Sequence, residues 1–363
     1  MQIELPAPRW EAFRKLLGAN ESVISFSIAL AAVLFALGVG AILILMAGIN
    51  PLVAYGYLLE ATIGNTYGFG ETLTRFIPLA FAGVGFSMAY QAGFFNVGVE
   101  GQLYLGALGA VIAGVLLPEM PALLHIPLAL LLGAAGGAIW AHIAGLLRIY
   151  LGADELINTM MLNYIAVLVV SLLVQGVLKD PNSMTFQSEA LPASARLPFI
   201  MPGTNLHLGF VLAIVAVFGI HYLMKHTPLG FKMRAIGHNE DAASYAGMGI
   251  ASGMTMAVLI SGALAGLGGA VELMGTQYRL QAGFSPGYGF DGIGVAIMGK
   301  KSPIGLILAA LLFAMIRVGA GAMQRGIGVP APLLSVIQGL IIIAVIASDY
   351  FIRKRARRVG GRA

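Results

Sequence analysis

The 363-residue sequence has no cysteine and little charge: Asp, Glu, Lys and Arg make up 10% of it, against 58% hydrophobic residues. The missing cysteines remove disulfides, iron–sulfur clusters, thiolate zinc sites and cysteine nucleophiles in one step. The missing charge excludes more. A soluble domain carries about 25% charged residues, and far below that figure a globular surface cannot hold its water. Soluble enzymes, DNA-binding domains and disordered chains are therefore excluded, and what remains is an all-α, polytopic membrane protein. A helical crossing takes about 20 apolar residues, so the length accommodates about ten crossings and one or two sizeable loops.

The first apolar run, Ser22 to Ala47, follows Arg9, Arg14 and Lys15. A signal-peptide core is about 7–15 residues; this run is longer and has no obvious small-x-small cleavage site, so it reads as an uncleaved first crossing. Further apolar segments lie at about 76–93, 102–117, 124–147, 156–178, 208–224, 253–275, 288–299, 303–320 and 331–351. The eighth, 288–299, is short and glycine-rich and reads as a broken or re-entrant piece. Ten crossings with the N-terminus inside put both termini in the cytoplasm and place fifteen of the 21 Lys and Arg residues there, as the positive-inside rule requires; eight crossings are the alternative count, should two segments be re-entrant. The net charge of +5 is thus topology rather than a nucleic-acid footprint. The expected organisation is a cytoplasmic segment 1–21, a membrane domain 22–351 and a basic cytoplasmic tail 352–363. Two polar loops interrupt the membrane domain: 179–207 outside, with four prolines, and the more charged 225–250 inside.

The chain also repeats itself weakly. Ala82-Gly83-Val84-Gly85, Gln91-Ala92-Gly93-Phe94 and Gly98-Val99-Glu100-Gly101 recur in the same order as Ala265-Gly266-Leu267-Gly268, Gln281-Ala282-Gly283-Phe284 and Gly289-Phe290-Asp291-Gly292. The offsets are 183, 190 and 191 residues. Five expected crossings separate the copies, so they enter the membrane from opposite sides. Such inverted repeats are a feature of transport folds, and this one is expected to set Glu100 and Asp291 beside the route from opposite faces.

Ionisable and amide groups within apolar segments are costly and so are candidates for function. Glu100, in Asn96-Val97-Gly98-Val99-Glu100-Gly101-Gln102, is either a gate or a carboxylate favoured by a helix dipole. Asp154 and Glu155 open the fifth crossing and read as caps. Asn158 and Asn163, further along it, make interhelical hydrogen bonds or line a cavity. Glu272 and Arg317, near outer ends of crossings, either pair or snorkel. His125 and His142 have no partner at ligand spacing, which argues against a metal site. Gly294 to Lys301 resembles a phosphate-binding loop but has Lys301 where Ser or Thr must hold magnesium, and it lies on a membrane segment. Any energy from ATP must come from another subunit.

Between Lys225 and Gly249, Gly237 leads into His238-Asn239-Glu240-Asp241-Ala242-Ala243-Ser244-Tyr245-Ala246-Gly247. Asp241, Ala242 and Ala243 followed by Gly247 predict a short helix stopped by glycine. Its small surface fits a groove on another protein, or the stretch is an ordinary solvated loop.

Asn96 to Gln102, Gly152 to Tyr164 and Gly287 to Ile293 together resemble the permease subunits of bacterial ABC importers, and more narrowly their nucleoside and simple-sugar branch, related to ribose and branched-chain amino acid permeases. The resemblance extends from about Ser22 to Tyr350. It implies an importer permease with no catalytic residue and no cofactor of its own, ATP and magnesium being bound by a partner. Its expected company is two ATPase subunits (or one with two ATPase halves), a second and different permease, and an external or periplasmic substrate-binding protein, in the cytoplasmic membrane. It implies that Gly237, Asp241, Ala242, Ala243 and Gly247 form the ATPase-coupling loop, with Asp in place of the usual Glu and without the downstream Ile-x-Leu-Pro portion. Asn96, Glu100, Gln102, Asn158, Asn163 and Asp291 are the candidates for the translocation path or its gate. Nucleosides, then simple sugars, are the implied substrates. An ion-driven secondary transporter is the alternative; a membrane-embedded enzyme would need clustered acid, base or metal groups that the sequence does not offer.

Overall fold

The computed structural model describes residues 21–344 apart from 119 and 331, together with residue 347, and side-chain burial from residue 31 onward. The basic stretches expected at the two ends, including the tail 352–363, lie outside the described residues, as does the end of the expected tenth crossing. The described chain is helical: α1 Glu21–Met46, α2 Pro51–Ile63, α3 Thr66–Gln91, α4 Val99–Val111, α5 Ala122–Leu151, α6 Glu155–Gln175, α7 Gly209–His226, α8 Pro228–His238, α9 Glu240–Tyr245, α10 Ile250–Glu272, α11 Tyr288–Gly299 and α12 Pro303–Ile327. A thirteenth, α13, covers Pro332–Ala344. One π-helical turn extends α4 over Ile112–Leu116 and another extends α10 over Leu273–Gln277.

Among the described residues seven helices are long and apolar enough to cross a membrane: α3, α4 with its π turn, α5, α6, α7, α10 with its π turn, and α12. The segment expected at 288–299 is a 12-residue helix, about 18 Å at 1.5 Å per residue, which is short of the ~30 Å hydrocarbon layer. Residues in left-handed conformation bound it, Gly287 before and Lys300 and Lys301 after. Two differences from the hydropathy reading share a cause. α2 is a 13-residue helix that no apolar run announced. α3 starts at Thr66 rather than near residue 76, because its first half is polar yet internally satisfied. Thr72 and Thr74 each donate back to the carbonyl four residues earlier, at 2.9 and 2.8 Å, and Arg75 ion-pairs with Glu71 at 2.8 Å.

The chain divides into two compact units, Tyr55–Met323 and the pair of segments Met1–Ala54 with Gln324–Ala363. The smaller unit contains α1, with Val33, Ala36 and Ile44 buried, and α13, with Leu334, Ile337 and Ile341 buried. In the larger unit α10 lies at the centre, against α3, α4 and α5. Small residues allow that closeness. A Cβ on Gly137 of α5 would stand 2.6 Å from the Cα of Gly266 in α10, and one on Gly109 of α4 would stand 2.9 Å from the nitrogen of Gly133 in α5. Gly133 and Gly137, like Gly262 and Gly266, are four residues apart and so share a helix face. Backbone therefore packs on backbone, as in membrane helix pairs built on small residues.

The loop expected at 179–207 is folded rather than loose. Its backbone N–H groups at Ser188, Leu191 and Leu197 donate to Leu280, Tyr278 and Met274 carbonyls at 2.8, 2.8 and 3.0 Å, which ties it over the end of α10. Arg279 pairs with Asp180 at 2.6 Å, and this guanidinium holds the Asp180 carboxyl below the usual carboxylate range.

Candidate coupling and translocation site

The two repeated sequence stretches fold alike locally. Each Gln-Ala-Gly-Phe turn has its glycine in the left-handed region, Gly93 at φ 85° and Gly283 at φ 76°, and each leads to a helix with an acid in its first turn, Glu100 in α4 and Asp291 in α11. The helix starts meet. The backbone N–H of Gly289 donates to Glu100 Oε2 at 2.6 Å. A Cβ on Gly289 would lie 2.5 Å from the Glu100 Cα, so only glycine permits the approach. The expected separation of Glu100 and Asp291 to opposite faces is thus corrected to one shared cluster. Arg317 completes it, donating from Nε and Nη2 to Asp291 Oδ2 at 2.8 and 2.5 Å, with its guanidinium 4.7 Å from the centre of the Tyr288 ring. Tyr104 accepts from the Ser285 N–H at 3.2 Å, holding the segment before α11 against α4.

The amides form a second cluster. Asn96 and Gln102 exchange side-chain hydrogen bonds at 3.0 and 2.9 Å; Asn96 also donates to Ser261 Oγ at 2.9 Å, and Ser261 donates to the Gly85 carbonyl at 2.8 Å. One network thus joins α3, α4 and α10. Asn163 accepts from the Gly101 N–H at 2.8 Å and donates to the Val97 carbonyl at 2.9 Å, while Asn158 donates to the Ala144 carbonyl at 3.1 Å. Of the two roles open to Asn158 and Asn163, these are interhelical bonds. Asp154 caps α6, accepting from Leu156 and Ile157 at 2.9 and 3.0 Å. Glu155 does something else: it accepts from the Phe95 N–H at 3.1 Å and pairs with Arg148 at 3.1 Å. His125 is held between Ser194 Oγ and the Ala113 carbonyl, each at 3.0 Å.

Glu272 and Arg317 do not pair with each other. Glu272, fully buried, takes Arg75 at 3.3 Å, and Arg75 also donates to the Tyr288 hydroxyl at 2.8 Å. Arg75, Ser261, Ser285 and Tyr288 were not singled out from sequence. The only local signal for Arg75 was Glu71 one helical turn before it.

Beyond the spans, Thr227 caps α8, accepting from the Gly230 N–H at 3.1 Å, with Pro228 at the first helical position. Asn239 caps α9, accepting from the Ala242 N–H at 2.9 Å. Gly247, at φ 75°, ends the segment as expected. Asp241, Ala242 and Tyr245 are exposed, and Ala243 faces inward. Gly237 is the inner contact: a Cβ there would stand 2.7 Å from the Gly93 nitrogen and 2.8 Å from the Ala92 carbonyl carbon. The end of α8 therefore lies backbone to backbone on the turn that connects α3 to the Asn96 network.

Long apolar helices packed through glycine, paired charges between them and a small capped helix projecting beyond them define the membrane-embedded component of a transport system. The chain belongs to the family described as branched-chain amino acid transport system / permease component, whose model matches residues 68–346. It is 37% identical over 328 residues to the guanosine ABC transporter permease NupP of Bacillus subtilis, covering 89% of this chain and 93% of that one. It is 36% identical over 333 residues to the glucose ABC transporter permease TsgB13 of Haloferax volcanii, covering 89% and 87%. It is 34% identical over 337 residues to the nucleoside ABC transporter permease NupB of Lactococcus lactis, covering 90% and 92%. No solved structure matches it. The chain is a multi-pass ABC transporter permease; it is not itself the catalyst, and such a component works with ATPase and substrate-binding partners.

Proposed function

We propose that this chain carries nucleosides, or simple sugars, across the bacterial cytoplasmic membrane as one half of a permease pair whose other half is a different chain. Two ATPase subunits, or one with two ATPase halves, dock on the loop 225–250, and an external binding protein delivers the solute. The relatives named for guanosine, glucose and nucleosides support the substrate class. In this reading about ten segments enter the membrane as an inverted repeat, both termini are cytoplasmic, and the loop 179–207 is outside. The matching turns at Gly93 and Gly283 support the repeat.

The observation that carries the mechanism is the contact of Gly237 with the Ala92–Gly93 backbone. A partner that grips Asp241 and Ala242 on the exposed α9, with Ala243 packed beneath them, moves α8 with it. α8 then bears directly on the turn before Asn96, Glu100 and Gln102. ATP binding shifts the conformational equilibrium only through such a difference in contacts between states. Asn96, Gln102, Asn158 and Asn163 hold the moving helices in register, and the Glu100–Asp291 cluster is the gate that they open.

The test is uptake into proteoliposomes holding the permease pair, with binding protein outside and ATP and ATPase at the other face. Labelled guanosine or glucose is expected to enter only with ATP and binding protein present. Uptake by this chain alone, abolished by a protonophore, would instead establish an ion-driven transporter.

A further inference from the structure

A second polar feature of the larger unit lies against α8. A cavity of about 330 Å³ opens between α3, α7, α8 and the turn from α11 to α12. Val84, Val217 and Leu306 give it a buried apolar wall. His221, Lys225, Arg234, His238 and Lys301 also line it, and no Asp or Glu does. α3 ends here at Gln91, Lys225 lies in the last turn of α7, and α12 begins here at Pro303. All three are long apolar helices, so the cavity sits where their apolar lengths give way to polar ends.

These cations are gathered but not paired. Arg75, Arg148, Arg279 and Arg317, elsewhere in the chain, each pair with a carboxylate. The side chains of Lys225, Arg234 and Lys301 have no ion-pair or hydrogen-bond partner among the described residues. The backbone delivers the third of them at a cost, because Lys300 and Lys301 stand in the left-handed region at φ 49° and 63°, which residues with a Cβ disfavour. α12 starts at the same place and turns the positive end of its dipole towards the cavity. Like charges brought together repel, and no lining group offsets them, so an anion is what the cavity favours. The cations come from three sides, α7, α8 and the α11–α12 turn. That suits a phosphate, whose several oxygens accept from several directions. Basic pockets between crossings at the membrane surface suit anionic lipid headgroups in particular, and the apolar wall fits a group that continues into acyl chains.

We infer that this cavity binds the phosphate group of an anionic phospholipid in the leaflet on the α9 side, with Lys225, Arg234 and Lys301 as its cationic donors. The site stands apart from the choice of transported solute. Its consequence for transport rests on the coupling reading above. Arg234 and His238 flank Gly237, which lies backbone to backbone on Ala92 and Gly93. An occupied site ties α8 to α7 and to the α11–α12 turn, and so steadies the contact through which α8 bears on the spans.

The absence of native cysteine in this chain makes the test direct. Ser302→Cys places one thiol at the exposed edge of the cavity. In the complete transporter in neutral detergent, its labelling by an uncharged maleimide is followed on this chain by mass. Phosphatidylglycerol in the micelles is expected to slow the labelling; phosphatidylcholine is not. Lys301→Asn removes the charge and keeps a residue that tolerates left-handed backbone. It and Arg234→Gln, each added to Ser302→Cys, are expected to raise the half-protecting lipid fraction about tenfold, the effect of one lost charged hydrogen bond. Lys301→Arg should preserve protection, and so should Lys232→Gln, which removes an α8 cation that donates to Ser252 instead. An unchanged melting temperature shows that the variants are folded. No protection by phosphatidylglycerol, or an equal loss in Lys232→Gln, overturns the site. Labelling already blocked by the docked ATPase without lipid overturns it too, and gives the cavity to that partner. Inorganic phosphate at matched ionic strength separates the sources: protection by it as strong as by the lipid, and weakened by Lys301→Asn, keeps the phosphate site and overturns the lipid as its occupant. In proteoliposomes, uptake should rise severalfold when phosphatidylglycerol joins phosphatidylcholine, and less in Lys301→Asn. Unchanged uptake with the site filled overturns the tie to coupling and leaves both the site and the substrate reading standing.

Discussion

Gly237 has no side chain because the backbone of residues 91–93 occupies the space where one would stand. Alanine there must push α8 away from the turn by a large fraction of an ångström. If that contact passes motion to the spans, Gly237→Ala should lower ATP-driven uptake at least about tenfold (~1.4 kcal/mol), while the chain still inserts and ATP hydrolysis continues. Parallel loss of both activities would mean that the ATPase no longer docks, and full uptake would remove the lever. A second contrast separates the two acids of the gate cluster. Asp291→Asn removes the charge facing Arg317, whose side chain is 18% exposed. Breaking a largely buried pair from one side costs about 3 kcal/mol, which should appear as a clear fall in the melting temperature of the detergent-solubilised protein. Glu100→Gln keeps an oxygen for the Gly289 N–H and should cost under ~1 kcal/mol. If the two variants melt together, the charge of Asp291 matters no more than its shape.

At the scale of elements, the glycine faces of α5 and α10 set how closely the central helices approach. Gly137→Ala would place a methyl group 2.6 Å from the Gly266 Cα, where ordinary contacts are well beyond 3 Å, so the pair must separate along its length. The expected result is loss of monodisperse protein in size-exclusion chromatography. Gly219 of α7 has nothing within 4 Å of an added Cβ, and Gly219→Ala should leave the profile unchanged or gain up to ~1 kcal/mol of helix propensity. The folded loop over α10 offers a pH test. His207, fully buried, accepts from the Gly209 N–H at 3.2 Å and is packed on Gly275; burial pushes its imidazole down from 6.5 to about 4. Its native form is neutral, so its contribution is complete above pH 6.5 and is lost as the pH falls towards 4, by something of the order of 3 kcal/mol. Limited proteolysis between residues 179 and 207 should therefore accelerate from pH 7 to pH 4.5, and His207→Gln should flatten that dependence. The Asp180–Arg279 clasp is no rival explanation, because the Asp180 carboxyl is held below the usual range and stays ionised across this window.

For the whole molecule, hydropathy and capping chemistry were enough to read the helical class, the long crossings and the short helix before Gly247. They could not reveal α2 or the buried start of α3, because a window average counts Thr72, Thr74 and Arg75 as polar without knowing that the helix and Glu272 satisfy them. Nor could spacing show that Glu100 and Asp291 meet, since that depends on Gly289 letting two helix starts touch. The membrane orientation is a matter of the same kind, resting on the distribution of cations. Single cysteines in this cysteine-free chain test it in intact cells with a membrane-impermeant maleimide. Cysteines at Ser183 and Thr185, in the loop over α10, should label from outside. Those at Ser244 and Tyr245, on α9, should label only after the membrane is opened. α10 connects the two groups, and its length of 23 residues gives about 34 Å, enough for one crossing. Labelling of both groups from the same side would break the link between α9 and a cytoplasmic ATPase, and with it the direction of transport assigned to the chain.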